Sequence, residues 1–141
     1  MYPLGLQTLD QVYVLDIALA AFLGALIGYE RERRGKRAGL RTFSLICIGS
    51  CVFTLLSINA FEGSETARVA AQVVVGIGFL GGAVIWKEGD KLIHGITTSA
   101  DIWVSAAVGM AIGANQYLIA VATTFFVMIV LNIKTKYDKI N

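Results

Sequence analysis

One carboxylate stands well inside an apolar setting. Asp101 lies in "ITTSADIWVSAAVGMAIGA", with Thr97 four residues before it, Thr98 three before and Ser105 four after. On a helix those spacings gather one carboxylate and three hydroxyls on a single face. Two kinds of chemistry suit such a set. Mg²⁺ takes hard oxygen ligands, keeps several waters and uses one or two carboxylates. Alternatively a basic side chain neutralises the carboxylate, and Arg41, at a neighbouring helix end, is the simplest partner. Glu30 stands at another end of the same side, so Glu30, Arg41, Thr97, Thr98 and Asp101 form a candidate polar site. A second group, Asp16 and Arg68, with Gln72 one turn beyond Arg68, falls one to two turns from the opposite surface. It reads as an outer polar pair or as a further site. Ionisable groups within a bilayer cost about 2.5–3.5 kcal/mol at a helix centre on insertion scales, so each needs a partner or a function.

Other chemistry finds little support. Gly76, Gly78 and Gly81 spell G-x-G-x-x-G, with Asp101 about twenty residues later, as in a dinucleotide-binding loop. That mechanism needs a strand, a tight turn and an amphipathic helix, whereas both flanks of "GIGFLGG" are apolar. The glycines therefore belong to a membrane helix. His94 is the only histidine, so no histidine cluster forms within one chain. Cys47 and Cys51 stand four apart in an apolar segment, which suits packing better than zinc. No nucleophile–base pair or cofactor motif emerges, and an enzyme is not expected.

The elements that must position these residues follow from composition. Of 141 residues, 56% are hydrophobic and 16% charged, and there is one proline. Soluble domains carry about 25% charged residues. A mean hydropathy of +0.68, with the charges clustered, indicates an integral membrane protein. A crossing helix needs about 20 mainly apolar residues. Five segments qualify, at about 11–29, 41–61, 67–86, 96–114 and 117–133. The expected fold is an all-α bundle of five transmembrane helices in a single domain over 1–141. The first segment lacks a preceding Lys or Arg and follows Asp10, so it does not read as a signal peptide.

Orientation follows from charge. Arg31, Arg33, Arg34, Lys36, Arg37 and Arg41 fill or flank the first connector, Lys87 and Lys91 the third, and Lys134, Lys136 and Lys139 the tail. Threading five helices puts eleven of the twelve basic residues on one side, leaving Arg68 on the other. The positive-inside rule then places the N-terminus outside and the C-terminus in the cytoplasm. Tyr29 and Trp86 would anchor the inner interface, and Tyr13, Phe61 and Tyr117 the outer one. Trp103, inside a segment, should be buried in protein to satisfy its indole N–H. The basic run has Glu30 and Glu32 interleaved and suits anionic headgroups of the bilayer, not nucleic acid.

Small residues recur four apart at Gly24/Gly28, Gly78/Gly82 and Gly109/Gly113, and the first pair extends back through Ala20 to Asp16. Such pairs let helix backbones approach closely, so all three are expected to face other helices. A glycine-lined path through the third segment is the functional alternative.

Three stretches, "GALIGYERERRGKRAGLRT" (24–42), "AQVVVGIGFLGGAVIW" (71–86) and "HGITTSADIWVSAAVGMAIG" (94–113), resemble the signature regions of the MgtC/SapB membrane-protein family. The resemblance spans all five segments in order. It implies a multi-pass protein of the bacterial inner (plasma) membrane connected with magnesium homeostasis, in a family often labelled as magnesium transporters. It also highlights Glu30, Arg31, Gly39, Arg41, Thr42, Gln72, Gly76, Gly78, Gly81, Gly95, Thr97, Thr98 and Trp103. Many members continue into a soluble cytoplasmic domain, and a short member without it is expected here. Asp101 departs from the small or hydroxyl-bearing residue that the resemblance implies.

Three functions compete on these residues. The first is cation handling, with Mg²⁺ as a possible ligand and no other cofactor. A homo-oligomer, a dimer first, would double the site across a two-fold axis. The second is a non-transporting regulator that binds a partner membrane protein through small-residue helix faces. The third is a structural or lipid-organising subunit.

Overall fold

The computed structural model describes residues 4–60, 66–88 and 92–133. Its helices are α1 (Leu4–Arg33), α2 (Leu40–Asn59), α3 (Thr66–Ala83), α4 (Ile96–Gly113) and α5 (Tyr117–Asn132). Five helices were expected and five are described. Three of them, over Gln11–Arg33, Leu40–Asn59 and Ile96–Gly113, are long and apolar enough to cross a membrane. The apolar parts of α3 and α5, Ala67–Ala83 and Tyr117–Asn132, are shorter. Phe61, Lys91, Lys134, Lys136 and Lys139 lie outside the described residues.

Among the described residues the fold departs from all-α at one place. The third connector, expected as a short polar stretch, holds a two-stranded antiparallel hairpin of β1 (Trp86–Glu88) and β2 (Leu92–His94), with Trp86 opposite His94. The Trp86 and His94 rings stack at 5.2 Å, and Arg37 from the first connector lies 5.5 Å over the Trp86 ring. Gly95 joins the hairpin to α4 at φ 89, and a Cβ there would overlap the Val84 carbonyl. Only glycine meets both demands cheaply.

α1, α2 and α4 make the centre of the bundle. One apolar cluster joins Leu23, Cys51 and Ile112, and a second joins Ile27, Phe43 and Ile102. The stripe Asp16, Ala20, Gly24 and Gly28 is buried along its whole length, which is how α1 can lie against α2. A Cβ on Gly24 would come within 2.6 Å of the Phe43 carbonyl, and one on Gly28 within 2.6 Å of the Leu40 Cα. Gly109 and Gly113 receive the Cys47 and Cys51 backbone in the same way. Both cysteines are free and fully buried, and the Cys47 thiol donates to the Ser105 carbonyl at 3.1 Å.

The third glycine pair behaves differently. Nothing lies within 4 Å of a Cβ built on Gly78 or Gly82, and both residues are exposed. The expectation that this pair packs against another helix of the chain is therefore not met. It is Gly81, one residue aside, that is buried, against Ser99 of α4. Helix α3 lies at the edge of the bundle, so only one narrow side of it is covered.

Helix ends and buried hydroxyls are satisfied locally. The Glu32 carboxylate accepts the Leu40 N–H at 3.0 Å and so caps α2 from the end of α1. α4 closes with Asn115 at φ 59, and the Gln116 N–H reaches the Ala111 carbonyl at 2.8 Å. Thr54 and Thr124 donate to carbonyls one turn back, on Ser50 and Ala120. With no water in the hydrocarbon region, such internal partners are obligatory. The outer faces carry exposed Phe22, Leu45, Phe79, Leu118, Phe125 and Phe126. A surface this apolar suits lipid and not water.

Candidate functional site

The sequence puts Asp101 inside an apolar segment, and the bundle decides what meets it. Gly24 and Gly28 draw α1 against α2, and the same buried side of α1 continues through Ile27 and Glu30 to Arg31. Arg31 therefore turns into the bundle. Its Nε lies 3.0 Å from Asp101 Oδ2, and its Nη2 donates to the Thr98 hydroxyl at 2.7 Å. The two charged side chains are 5% and 9% exposed, so water screens their attraction little. The expected Asp101–Arg41 pair is not formed. Arg41 begins α2 and is exposed, on a different side of the bundle.

Glu30 is also buried and is held by two cations. Its Oε1 lies 2.6 Å from Arg34 Nε, and its Oε2 lies 2.7 Å from Arg33 Nη2. Arg34 reaches on to the Asn132 side chain of α5 at 3.0 Å. Glu30, Arg31, Arg34, Thr98, Asp101 and Asn132 thus tie α1, α4 and α5 together at one end. Each carboxylate here faces a guanidinium. Among the described residues no three His, Cys, Asp or Glu side chains gather as metal ligands.

The remaining expected residues separate. Thr97 is exposed and takes no part in this cluster. Arg41, Thr42 and Gln72 line a groove of about 1020 Å³ between α2 and α3, together with Arg68 and Gly76. The anticipated outer pair is not formed either. Asp16 accepts a hydrogen bond from the Tyr117 hydroxyl at 2.9 Å, with the Asn115 side chain 3.0 Å from the same hydroxyl. Asp16 is 3% exposed, whereas Arg68 is exposed and faces the α2–α3 groove. The geometry that separates them is simple: Asp16 belongs to the covered stripe of α1, and α3 does not pack over it. Trp103 was expected inside the protein and is instead 53% exposed, beside a smaller apolar hollow lined by Val74 and Met110.

As a site residue Arg31 enters only through the resemblance, and elsewhere as one of the orienting cations; Tyr117 enters only as an interfacial anchor. A faint signal for Arg31 existed. It lies three residues beyond Gly28, at the end of a stripe of small residues.

Comparison with known proteins places the chain among named relatives. "Protein MgtC" of Salmonella typhimurium is 44% identical over 116 residues, which is 82% of this chain and 49% of that protein. "Protein MgtC" of Brucella abortus is 45% identical over 114 residues, 81% of this chain and 48% of that protein. "Putative magnesium transporter YhiD" of Escherichia coli K12 is 40% identical over 129 residues, 86% of this chain and 60% of that protein. The chain spans about half the length of the MgtC relatives and 60% of the third. No solved structure matches. Residues 17–140 match the MgtC family, a range that takes in the buried Arg31–Asp101 pair and the α2–α3 groove alike, and the chain belongs to that family.

Proposed function

We propose that this chain is a multi-pass protein of the bacterial plasma membrane that serves magnesium homeostasis by engaging a partner membrane protein. The link to magnesium rests on family membership and on the name of the E. coli relative. The mode of action rests on one observation. Arg31 and Asp101 neutralise each other inside the bundle, and Glu30 is matched by Arg33 and Arg34. A carboxylate so engaged is a poor Mg²⁺ ligand, because the ion must displace a guanidinium held at hydrogen-bond distance. The open Gly78/Gly82 side of α3 supports contact with another helix, from a partner or a second copy. We assign the chain an outward N-terminus and a cytoplasmic C-terminus, because the basic residues gather on one side of a five-helix thread. The proposed role is non-enzymatic and uses no cofactor.

Mg²⁺ transport by the chain itself is the competing reading, favoured by the name of the E. coli relative. Tracer-reported Mg²⁺ flux into proteoliposomes of the purified protein separates the two. The regulatory reading expects flux no higher than in empty liposomes. Flux that depends on the protein and disappears in Asp101→Asn would overturn it.

A further inference from the structure

The groove between α2 and α3 carries its own chemistry. Its walls are apolar through Leu45, Phe53, Val73 and Leu80, and among the described residues no acidic side chain lines it. Its polar groups are Arg41 and Thr42 near one mouth, Arg68 and Gln72 towards the other, and Ser50 between them. α2 and α3 run antiparallel, so the two arginines mark opposite ends. Arg41 forms no hydrogen bond or ion pair with any described residue. A long occupant, apolar along its body and negatively charged at the Arg41 end, suits this lining.

We propose that this groove binds an anionic phospholipid, with its phosphate on Arg41 and Thr42 and an acyl chain lying along α2 towards Phe53. The dimensions fit. From Arg41 to Phe53 α2 rises about 18 Å, comparable with half of the ~30 Å hydrocarbon core. The volume of about 1020 Å³ lies at the upper end of the roughly 300–1,000 Å³ usual for ligand sites. Arg41 also shares its membrane side with the basic α1–α2 connector, which attracts anionic headgroups. A second copy of the chain suits the groove less well. A two-fold interface apposes the same surface twice, bringing arginines to arginines with no acidic side chain among the described lining residues.

The test uses the full chain in nanodiscs of mixed phosphatidylglycerol and phosphatidylcholine, with retained lipid counted by native mass spectrometry. The wild type is expected to keep phosphatidylglycerol preferentially. Arg41→Gln should lower that retention about fivefold, the effect of one lost cation near the surface. Arg37→Gln, a cation outside the groove, should lower the retention less than Arg41→Gln does. Gly49→Leu and Gly76→Leu obstruct the groove without touching its charge. A Cβ at either position meets nothing within 4 Å, so both variants should fold. Each should also lower retention. An absent preference, a preference that survives both Arg41→Gln and Gly49→Leu, or an equal loss in Arg37→Gln would overturn the proposal. So would a lipid-free dimer that Gly49→Leu dissociates, since the occupant would then be a second copy.

Discussion

Arg31, from the last turn of α1, and Asp101, from the second turn of α4, meet at 3.0 Å inside the bundle and leave each other little contact with water. Removing one charge strands the other where solvation is poor. Asp101→Asn or Arg31→Gln should each cost about 3–5 kcal/mol, the usual consequence of breaking a buried pair. The double variant should recover part of that loss. Thermal unfolding of the four proteins in detergent gives the coupling directly. Additive losses would mean that the two side chains do not act as a pair.

The same measurement addresses magnesium. With Asp101 paired to Arg31, which Thr98 also holds, added Mg²⁺ should leave the Tm of the wild type unchanged. A Tm that rises with Mg²⁺ in the wild type and not in Asp101→Asn would place a cation on this carboxylate.

Glycines of identical spacing should respond in opposite ways. Gly24→Ala and Gly109→Ala press a methyl group into the backbone of α2 and should destabilise by about 1–3 kcal/mol, as overpacking does. Gly78→Ala and Gly82→Ala project into open space and should leave the stability of the isolated protein unchanged or slightly raised. If either changes partner or self-association without changing stability, that side of α3 is a contact surface.

Tyr117→Phe removes the hydroxyl that donates to buried Asp16. The carboxylate then lacks that donor, and a loss of about 1–3 kcal/mol is expected. Arg68→Gln should cost Asp16 nothing, because the two side chains are apart. Equal losses from both substitutions would restore the outer pair that sequence reasoning anticipates.

Reporter fusions test the orientation. A C-terminal reporter active only in the cytoplasm should register, and its periplasm-active counterpart should not. The reverse result would invert the assignment made from the basic residues.

Much of this architecture is legible in the sequence because hydropathy dictates it. The five apolar segments become the five described helices, with α1 extending beyond its expected ends at both sides. The Gly24/Gly28 and Gly109/Gly113 contacts are also legible, since close approach needs small residues whatever the partner. The same spelling at Gly78/Gly82 misleads for a physical reason: it marks a face that permits contact without supplying the contact. The identity of the arginine that reaches Asp101 was hidden for another reason. Six cations crowd positions 31–41, and a charge count treats them alike, whereas helical phase turns only Arg31 inward. The hairpin escaped because three residues per strand are too few to establish an alternating pattern.

The Arg31–Asp101 link also constrains how the protein is made. Thr98 lies 67 residues downstream of Arg31 and Asp101 three further still. At about 5–20 residues per second of synthesis, Arg31 waits roughly 3 to 13 s before its partners leave the ribosome. During that interval its guanidinium can reside only at the headgroup level. The first two helices therefore enter the membrane in a provisional arrangement, and the arrival of α4 draws Arg31 inward, making the closure of this pair a late event in biogenesis.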